Sequence, residues 1–313
     1  IAPKFLAHIL ALACASSGLN AQIQFNDIPL VDTHIHLYDT QRPQGVPWPP
    51  KNDAILYKPT LPEHFRQHIE KNKIIATVVV EASDRFEDNK WVLDITEDES
   101  DHYTGLVGNL AVGTPDFATQ LTEMSQSKRF VGIRIRPNVA ANAFSQKFWL
   151  DLKLLEESNL TLDILVGKIT LSQVAEIAKR NPKLKIVVNH LAGLKLRNPG
   201  AFSRQWKEQL ASIASHKNVH MKISALFQAS ETATAPRQLS YYKPCLDFLV
   251  SQFGEDRIFY GSNWPASNKF GSYDDIKPLL LEFCQDRDRQ FTEKLFYKNA
   301  IEFYNLTDRV SLK

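Results

Sequence analysis

The sequence predicts a (β/α)8 barrel, also called a TIM barrel, on two observations. Apolar segments rich in β-branched residues alternate with amphipathic helical segments, as expected when parallel strands are buried on both faces and joined by crossover helices. Eight such strand–helix units occupy about 280 residues, which is an ordinary size for this barrel. An open doubly wound sheet is the alternative, but no Gly-rich phosphate turn follows the first strand.

The eight predicted strands are short apolar runs whose last residues tend to be polar: Val31–His36, Ile75–Glu81, Gly105–Ala111, Val131–Arg136, Thr161–Val166, Lys185–His190, Asn218–Ser224 and Arg257–Gly261. Helical periodicity is clearest between and after these strands, over Leu61–Lys71, Phe144–Ser158, Leu171–Arg180, Leu239–Phe253, Tyr273–Cys284 and Thr292–Tyr304.

The first 21 residues differ from the rest of the chain. Lys4 precedes an apolar run, and small residues then lead to Ala21, a pattern typical of a bacterial secretory signal peptide. The run is shorter than the roughly 20 apolar residues that span a bilayer. We therefore expect residues 1–21 to be removed, residues 22–313 to form a single domain, and the mature protein to be periplasmic or secreted without a membrane anchor. An ordinary amphipathic helix is the alternative.

Composition narrows the function classes. The formal net charge is +2 over 313 residues, so nothing indicates a nucleic-acid partner. Cys245 and Cys284, which follow the presumed signal peptide, both fall in predicted helices. Two cysteines do not make a disulfide framework, so we expect free buried thiols, with a single bridge as the alternative in an exported protein. The sequence does not predict an oligomeric state.

The first strand carries the strongest chemical signal. Side chains two positions apart on a strand share a face, so Asp32, His34 and His36 are predicted to line one side. Two adjacent imidazoles on a rigid strand suit a metal ion or a polarised carbonyl group. An edge strand with two solvated histidines is the alternative.

Polar residues late in nearly every predicted strand strengthen that signal. In a barrel these residues converge on one mouth, and each costs several kcal/mol if it is buried without a partner. A structural ion-pair network across the barrel top is the alternative. In chain order the residues are His34, His36, Glu81, Asn109, Arg134, Arg136, Asp163, His190, Lys222 and Asn263.

The segment Arg42–Pro50 follows the first strand and contains four prolines and Trp48. Prolines stiffen the loop, and the indole offers a flat apolar face. We expect Trp48 either to form a wall of a substrate pocket or to plug the surface.

With these motifs assembled, the chain resembles the amidohydrolase superfamily and, within it, the amidohydrolase-2 group of sugar-acid lactonases. The resemblance runs from Val31 to Pro265. Its motifs are Val31–Asp39, Arg42–Pro50, Val78–Ala82, Val131–Arg134, Leu162–Val166, Asn189–Gly193, Met221–Leu226 and Tyr260–Pro265.

The resemblance implies a barrel hydrolase that opens a lactone of the rhamnono- or fuconolactone kind. In such enzymes the histidines hold a divalent metal or polarise the carbonyl, and an acidic residue after the last strand activates water. Here that position is Asn263, and a neutral amide cannot accept a proton as a carboxylate does.

Three neutral imidazoles with room for water suit catalytic zinc, so His34, His36 and His190 are the predicted metal ligands, with metal-independent catalysis as the alternative. Asn263 would then orient water or substrate. Glu81 and Asp163 are the candidates for a replacement base because both lie late in strands.

Arg134 and Arg136 are predicted to clamp substrate oxygens through planar donors, and Lys222 to donate to substrate. For all three, structural pairing with carboxylates is the alternative. The expected partner of the protein is a small sugar-derived lactone. Two rival functions stay open: a ligand-binding barrel that has lost its base, and a decarboxylase-type lyase of the same superfamily.

Overall fold

Eight parallel strands form the barrel in the computed structural model, which describes residues 25–135, 144–167, 169–232 and 234–311. The strands follow one another around the sheet in sequence order, so the predicted barrel is confirmed and the open doubly wound sheet is wrong. Their bounds are β1 Leu30–Ile35, β2 Ile74–Val80, β3 Gly105–Gly108, β4 Phe130–Ile135, β5 Thr161–Ile164, β6 Ile186–Val188, β7 Val219–Ile223 and β8 Ile258–Tyr260.

The barrel is nearly closed, since the first and last strands meet at their carboxyl ends. Ile35 forms a parallel bridge with Trp264. The amide of His36 donates to the carbonyl oxygen of Trp264 at 2.8 Å, and the amide of Asn263 donates to that of His34 at 2.8 Å. These bonds place the residues after β8 directly beside the histidines of β1.

Helices cover the outside of the strands and bury their apolar faces against them. Capping supports the start of several of them, as where the Ser145 hydroxyl accepts from the amide of Phe148. The helices are α1 Pro62–Asn72, α2 Glu87–Ile95, α3 Phe117–Met124, α4 Gln146–Glu157, α5 Leu171–Arg180, α6 Arg204–Ala214, α7 Leu239–Phe253, α8 Tyr273–Cys284, α9 Arg289–Glu293 and α10 Asn299–Phe303. None of the helices in these described ranges is long and apolar enough to cross a membrane.

The strand predictions place every strand correctly but several run too far at the carboxyl end. His36, Glu81, His190 and Ser224 each lie just past the last paired residue of their strand. These residues lie past the regular strands, although the amides of His36 and Glu81 still donate to the carbonyl oxygens of Trp264 and Val107 at 2.8 Å. The predicted closing helix is also interrupted, because a π-helical segment, Lys294–Lys298, separates α9 from α10.

Cys245 and Cys284 are free and buried, as expected. The predicted signal peptide, residues 1–21, lies outside the described residues, and so does Arg136.

Candidate active site at the barrel mouth

Three imidazoles meet at the carboxyl end of the barrel. His34 and His36 come from the end of β1, and His190 follows β6. The ring centroid of His34 lies 5.0 Å from that of His36 and 4.5 Å from that of His190. The structure therefore brings together residues that are far apart in the sequence, as the barrel prediction requires.

The His36 ring is held at both nitrogens. Its Nδ1 lies 2.8 Å from the carbonyl oxygen of Val80, and its Nε2 lies 3.2 Å from Oδ1 of Asn263. The other end of the Asn263 amide, Nδ2, is 2.5 Å from Oε1 of Gln228. Asn263 has a positive φ of 63°, a conformation that asparagine tolerates better than most residues. Asn263 thus joins β1 to the turn after β7.

His190 is held by Ser224 in an unusual backbone conformation. The Ser224 hydroxyl oxygen lies 2.9 Å from Nδ1 of His190 and accepts from its backbone amide at 3.1 Å. His190, Leu191 and Ala192 all have positive φ values, between 51° and 56°. Such residues cost about 1–3 kcal/mol each, and strain of this kind is concentrated at functional sites.

Burial and neighbouring charge keep two of these imidazoles neutral. Burial lowers the pKa of His34 well below its usual value, and repulsion from His190 and Lys222 adds to the effect. Burial also lowers the pKa of His190 well below its usual value, with repulsion from Arg134 as the next cause. At neutral pH both rings are therefore uncharged, and a neutral imidazole can accept a proton.

A cavity of about 290 Å³ opens above these residues. That volume lies at the small end of sites for small molecules. The polar part of the lining comes from His36, Arg134, His190, Gln228 and Asn263, and the apolar part comes from Trp48, Ala82, Leu165 and Ala266. The cavity thus combines hydrogen-bonding groups with one aromatic wall.

Arg134 is the cation of the cavity lining and is paired with Glu81. Its Nε donates to Oε1 of Glu81 at 2.6 Å, and its Nη2 donates to the backbone oxygen of Glu81 at 2.6 Å. Burial lowers the pKa of Arg134 to about 10, so the guanidinium stays charged at neutral pH. The structural pairing of Arg134 with a carboxylate, which was the alternative to substrate binding, is therefore present. Arg134 also lines the cavity. Glu81 is not among the residues that line the cavity.

Lys222 and Asp163 form a fully buried ion pair inside the barrel. Lys222 Nζ donates to Oδ2 of Asp163 at 2.7 Å and to the backbone oxygen of Thr33 at 2.9 Å. The hydroxyl of Tyr304 donates to the other carboxylate oxygen at 2.9 Å. Neither residue lines the cavity. Structural pairing is therefore favoured over the predicted roles of Lys222 in substrate binding and of Asp163 in water activation.

Asp32 is placed differently from the prediction. Its carboxylate accepts from the Tyr273 hydroxyl of α8 at 2.8 Å and from the amide of Ser262 at 2.9 Å, so it points toward the helical layer. The pairing of β1 with β2 shifts register between Asp32 and Ile35, which breaks the two-residue alternation. The expectation that Asp32 shares a face with His34 and His36 was wrong for this reason.

The loop Arg42–Pro50 forms a wall of the cavity, so the surface-plug alternative is not favoured. The ring of Trp48 lies 5.4 Å from that of His36. The guanidinium of Arg85 donates to the backbone oxygens of Gly45 at 2.9 Å and Gln44 at 3.0 Å. The loop is therefore anchored to the segment after β2.

The predicted zinc ligands are adjacent, but they are not arranged as a metal site. Among the described residues, no group of three His, Cys, Asp or Glu side chains has the spacing of a metal centre. Both ring nitrogens of His34 are buried without a hydrogen-bond partner in the described ranges, as expected of an imidazole that lacks a ligand. His36, however, already directs one nitrogen at Val80 and the other at Asn263. The donor types suit zinc, whereas the contacts of His36 with Val80 and Asn263 do not.

Sequence reasoning missed two residues of the site. Ser224 ends a predicted strand, and its hydroxyl carried no distinctive signal. Gln228 lies in a short 3₁₀ turn, Leu226–Ala229, above β7. No sequence pattern marks a glutamine in such a turn as functional.

Known proteins resemble this chain in sequence and in fold. A family model described as amidohydrolase matches residues 31–306. An L-fucono-1,5-lactonase of Burkholderia ambifaria is 28% identical over 294 residues, covering 90% of this chain and 97% of that protein. An L-fucono-1,5-lactonase of Burkholderia multivorans is 23% identical, covering 82% and 89%. The crystal structure of a Burkholderia multivorans amidohydrolase with bound zinc has a TM-score of 0.77 at 21% identity, covering 88% and 99%. The chain belongs to the amidohydrolase family.

Proposed function

We propose that this protein opens the lactone ring of a sugar acid by hydrolysis, with L-fucono-1,5-lactone as the first candidate substrate. The family and the lactonase relatives support a hydrolase that acts on ester bonds. The observation that carries the proposal is the cavity that His36, His190, Arg134 and Asn263 line together at the barrel mouth.

His190 is the group best suited to activate water. Its Nδ1 is engaged by Ser224, and the ring lines the cavity, so Nε2 is the nitrogen available to a reactant. The neutral ring takes a proton from the attacking water and returns it to the leaving alkoxide oxygen as the acyl–oxygen bond of the lactone breaks. The overall reaction adds one water molecule to the lactone and yields a hydroxy acid.

Arg134 is the group best suited to stabilise the charge that develops on the carbonyl oxygen. It remains a cation in a buried setting, where an electrostatic interaction is stronger than in water. Its Nε and Nη2 are fixed by Glu81, which holds the guanidinium plane before substrate arrives. The role of Glu81 is then to position Arg134, and the predicted role as base passes to His190.

We further propose that the reaction needs no zinc. His36 is occupied by Val80 and Asn263, and a metal would have to displace one of these contacts. The test is elemental analysis of purified protein together with activity before and after chelation. Unchanged activity in metal-free protein supports the proposal, whereas activity that is lost on chelation and restored by zinc overturns it.

A pH-indicator screen of sugar lactones tests the function itself, because hydrolysis releases a proton. Turnover of a lactone by the wild-type protein supports the proposal. A wild-type protein that turns over no lactone overturns it, and turnover only after Asn263→Asp identifies the ligand-binding alternative. Release of CO2 from an aromatic or unsaturated acid identifies the lyase alternative.

A further inference from the structure

The contacts of His36 determine which of the groups around it donate hydrogen bonds and which accept them. The carbonyl oxygen of Val80 can only accept, so Nδ1 of His36, 2.8 Å away, carries a hydrogen and donates it. In a neutral imidazole the other nitrogen then carries no hydrogen and can only accept. Nε2 of a neutral His36 ring therefore needs a donor.

The amide of Asn263 can supply that donor. Its Oδ1 lies 3.2 Å from Nε2 of His36, which would set two acceptors against each other beside a neutral ring. The oxygen and nitrogen of a side-chain amide are nearly the same size, so exchanging them moves no other atom. With the exchange, Nδ2 of Asn263 donates to His36, and Oδ1 of Asn263 turns to Gln228.

Gln228 completes the arrangement. Its amide lies 2.5 Å from that of Asn263. If its ends are exchanged as well, Nε2 of Gln228 donates to Oδ1 of Asn263. The side chain of Gln228 has no other hydrogen bond among the described residues, so the exchange breaks nothing. Each of the three contacts from Gln228 to Val80 then joins one donor to one acceptor.

We propose that Gln228 is a positioning residue that orients the Asn263 amide, so that Asn263 donates one N–H to His36 and presents its second N–H to the cavity. The site at the end of β8 then offers a neutral donor to a carbonyl or hydroxyl oxygen of the substrate. A carboxylate at the same place would offer only acceptors. The effect on turnover rests on the proposed lactonase function, whereas the directions of the hydrogen bonds do not.

The direct test is the ring state of His36, read from ¹H–¹⁵N spectra of the histidine side chains in the full-length wild-type protein. The signals of His36 are assigned by their loss in His36→Gln. The proposal expects a neutral ring with hydrogen on Nδ1 and an acceptor at Nε2. A ring with hydrogen on Nε2, or on both nitrogens, overturns it. This measurement needs neither lactone nor a metal, so its result does not depend on the proposed function.

Two substitutions of Gln228 extend the test. Gln228→Glu has the same shape but can only accept, so Asn263 must turn its N–H toward residue 228 and its oxygen toward His36. We expect this variant to move hydrogen onto Nε2 of His36. Gln228→Leu removes the contact, and we expect a loss of about 10- to 100-fold in kcat with little change in KM, as when a partner that orients a site residue is removed.

The matched controls are Gln205→Glu and Gln205→Leu, at an exposed glutamine on α6. We expect them to change neither the His36 signals nor kcat. A His36 signal in Gln228→Glu that is identical to wild type contradicts the proposal. So does a Gln228→Leu protein with full kcat in an active wild-type background.

Discussion

Arg134 shows how the chemistry depends on the form of one side chain. A guanidinium presents fixed planar donors, whereas a lysine ammonium at the same place is a compact point charge without that planar geometry. For Arg134→Lys we expect kcat to fall by about 10²–10³-fold with a smaller change in KM, because the stabilised oxyanion exists only in the transition state. Steady-state kinetics on the active lactone measure both constants.

The control for this prediction is Arg129→Lys. Arg129 donates to Thr96 and to the backbone of Leu93, away from the cavity. We expect its kcat to match wild type. Equal kcat values for Arg134→Lys and wild type would remove Arg134 from the mechanism.

The lowered pKa of His190 sets the acid side of the pH profile. The base must be neutral, and a histidine whose pKa is depressed becomes protonated only when the pH falls through that lower value. We therefore expect kcat/KM to stay level as the pH decreases through 6.5, the ordinary histidine value, and to fall only at lower pH.

Intrinsic fluorescence at each pH would show that the protein is still folded. A profile that loses half its activity near pH 6.5 or above in folded protein would contradict His190 as the base.

The sequence predicted most of the residues that the structure brings together at the barrel mouth, because polar groups at the ends of barrel strands are costly unless they are used. His34, His36, His190, Arg134 and Asn263 were found in this way. Gln228 and Ser224 were not, since their importance lies in what they contact, and contacts across the barrel mouth leave no periodic trace in the sequence.

The loop Arg42–Pro50 is the element that shapes the cavity wall. Besides the bonds from Arg85, the guanidinium of Arg42 pairs with Asp88 at 2.8 Å and stacks on Trp91 at 4.5 Å. These contacts fix Trp48 beside His36.

We expect Arg85→Ala to loosen the loop and raise KM several-fold while kcat changes less, since the wall contributes to binding rather than to proton transfer. The control is Arg204→Ala, which removes an exposed pair with Glu208 on α6. Kinetics on both variants measure the effect. An unchanged KM in Arg85→Ala would show that the wall does not contact the substrate.

The ends of strands were the least predictable part of the elements. The apolar runs specify the strands, but residues such as His36 and Glu81 are continuous with those runs in the sequence. Only the three-dimensional structure shows that the regular strands end before them. In the same way, the shift in register at Asp32 depends on how β1 pairs with β2, which no local pattern reveals.

In the molecule as a whole, the Lys222–Asp163 ion pair connects distant parts of the barrel. It links β7 to β5, and through Thr33 and Tyr304 it reaches β1 and the segment after α10. The sequence showed both charges but could not distinguish a substrate contact from a buried pair, because both place ionisable residues on barrel strands.

We expect Lys222→Met to lower the free energy of unfolding by about 3–5 kcal/mol, because it leaves the Asp163 carboxylate buried without its charge partner. Urea denaturation measures this loss. The double variant Lys222→Met, Asp163→Leu is expected to recover part of it. A single variant as stable as wild type but with a raised KM would restore Lys222 as a substrate-binding residue.

Metal-independent catalysis by His190 is tested most directly by the initial rate at which metal-stripped protein opens L-fucono-1,5-lactone, compared between wild type and His190→Asn. We expect turnover by the wild-type protein and a loss of at least about 10²-fold in the variant, the usual contribution of a general base. Equal rates for the two proteins, or turnover only after zinc is restored, would contradict it.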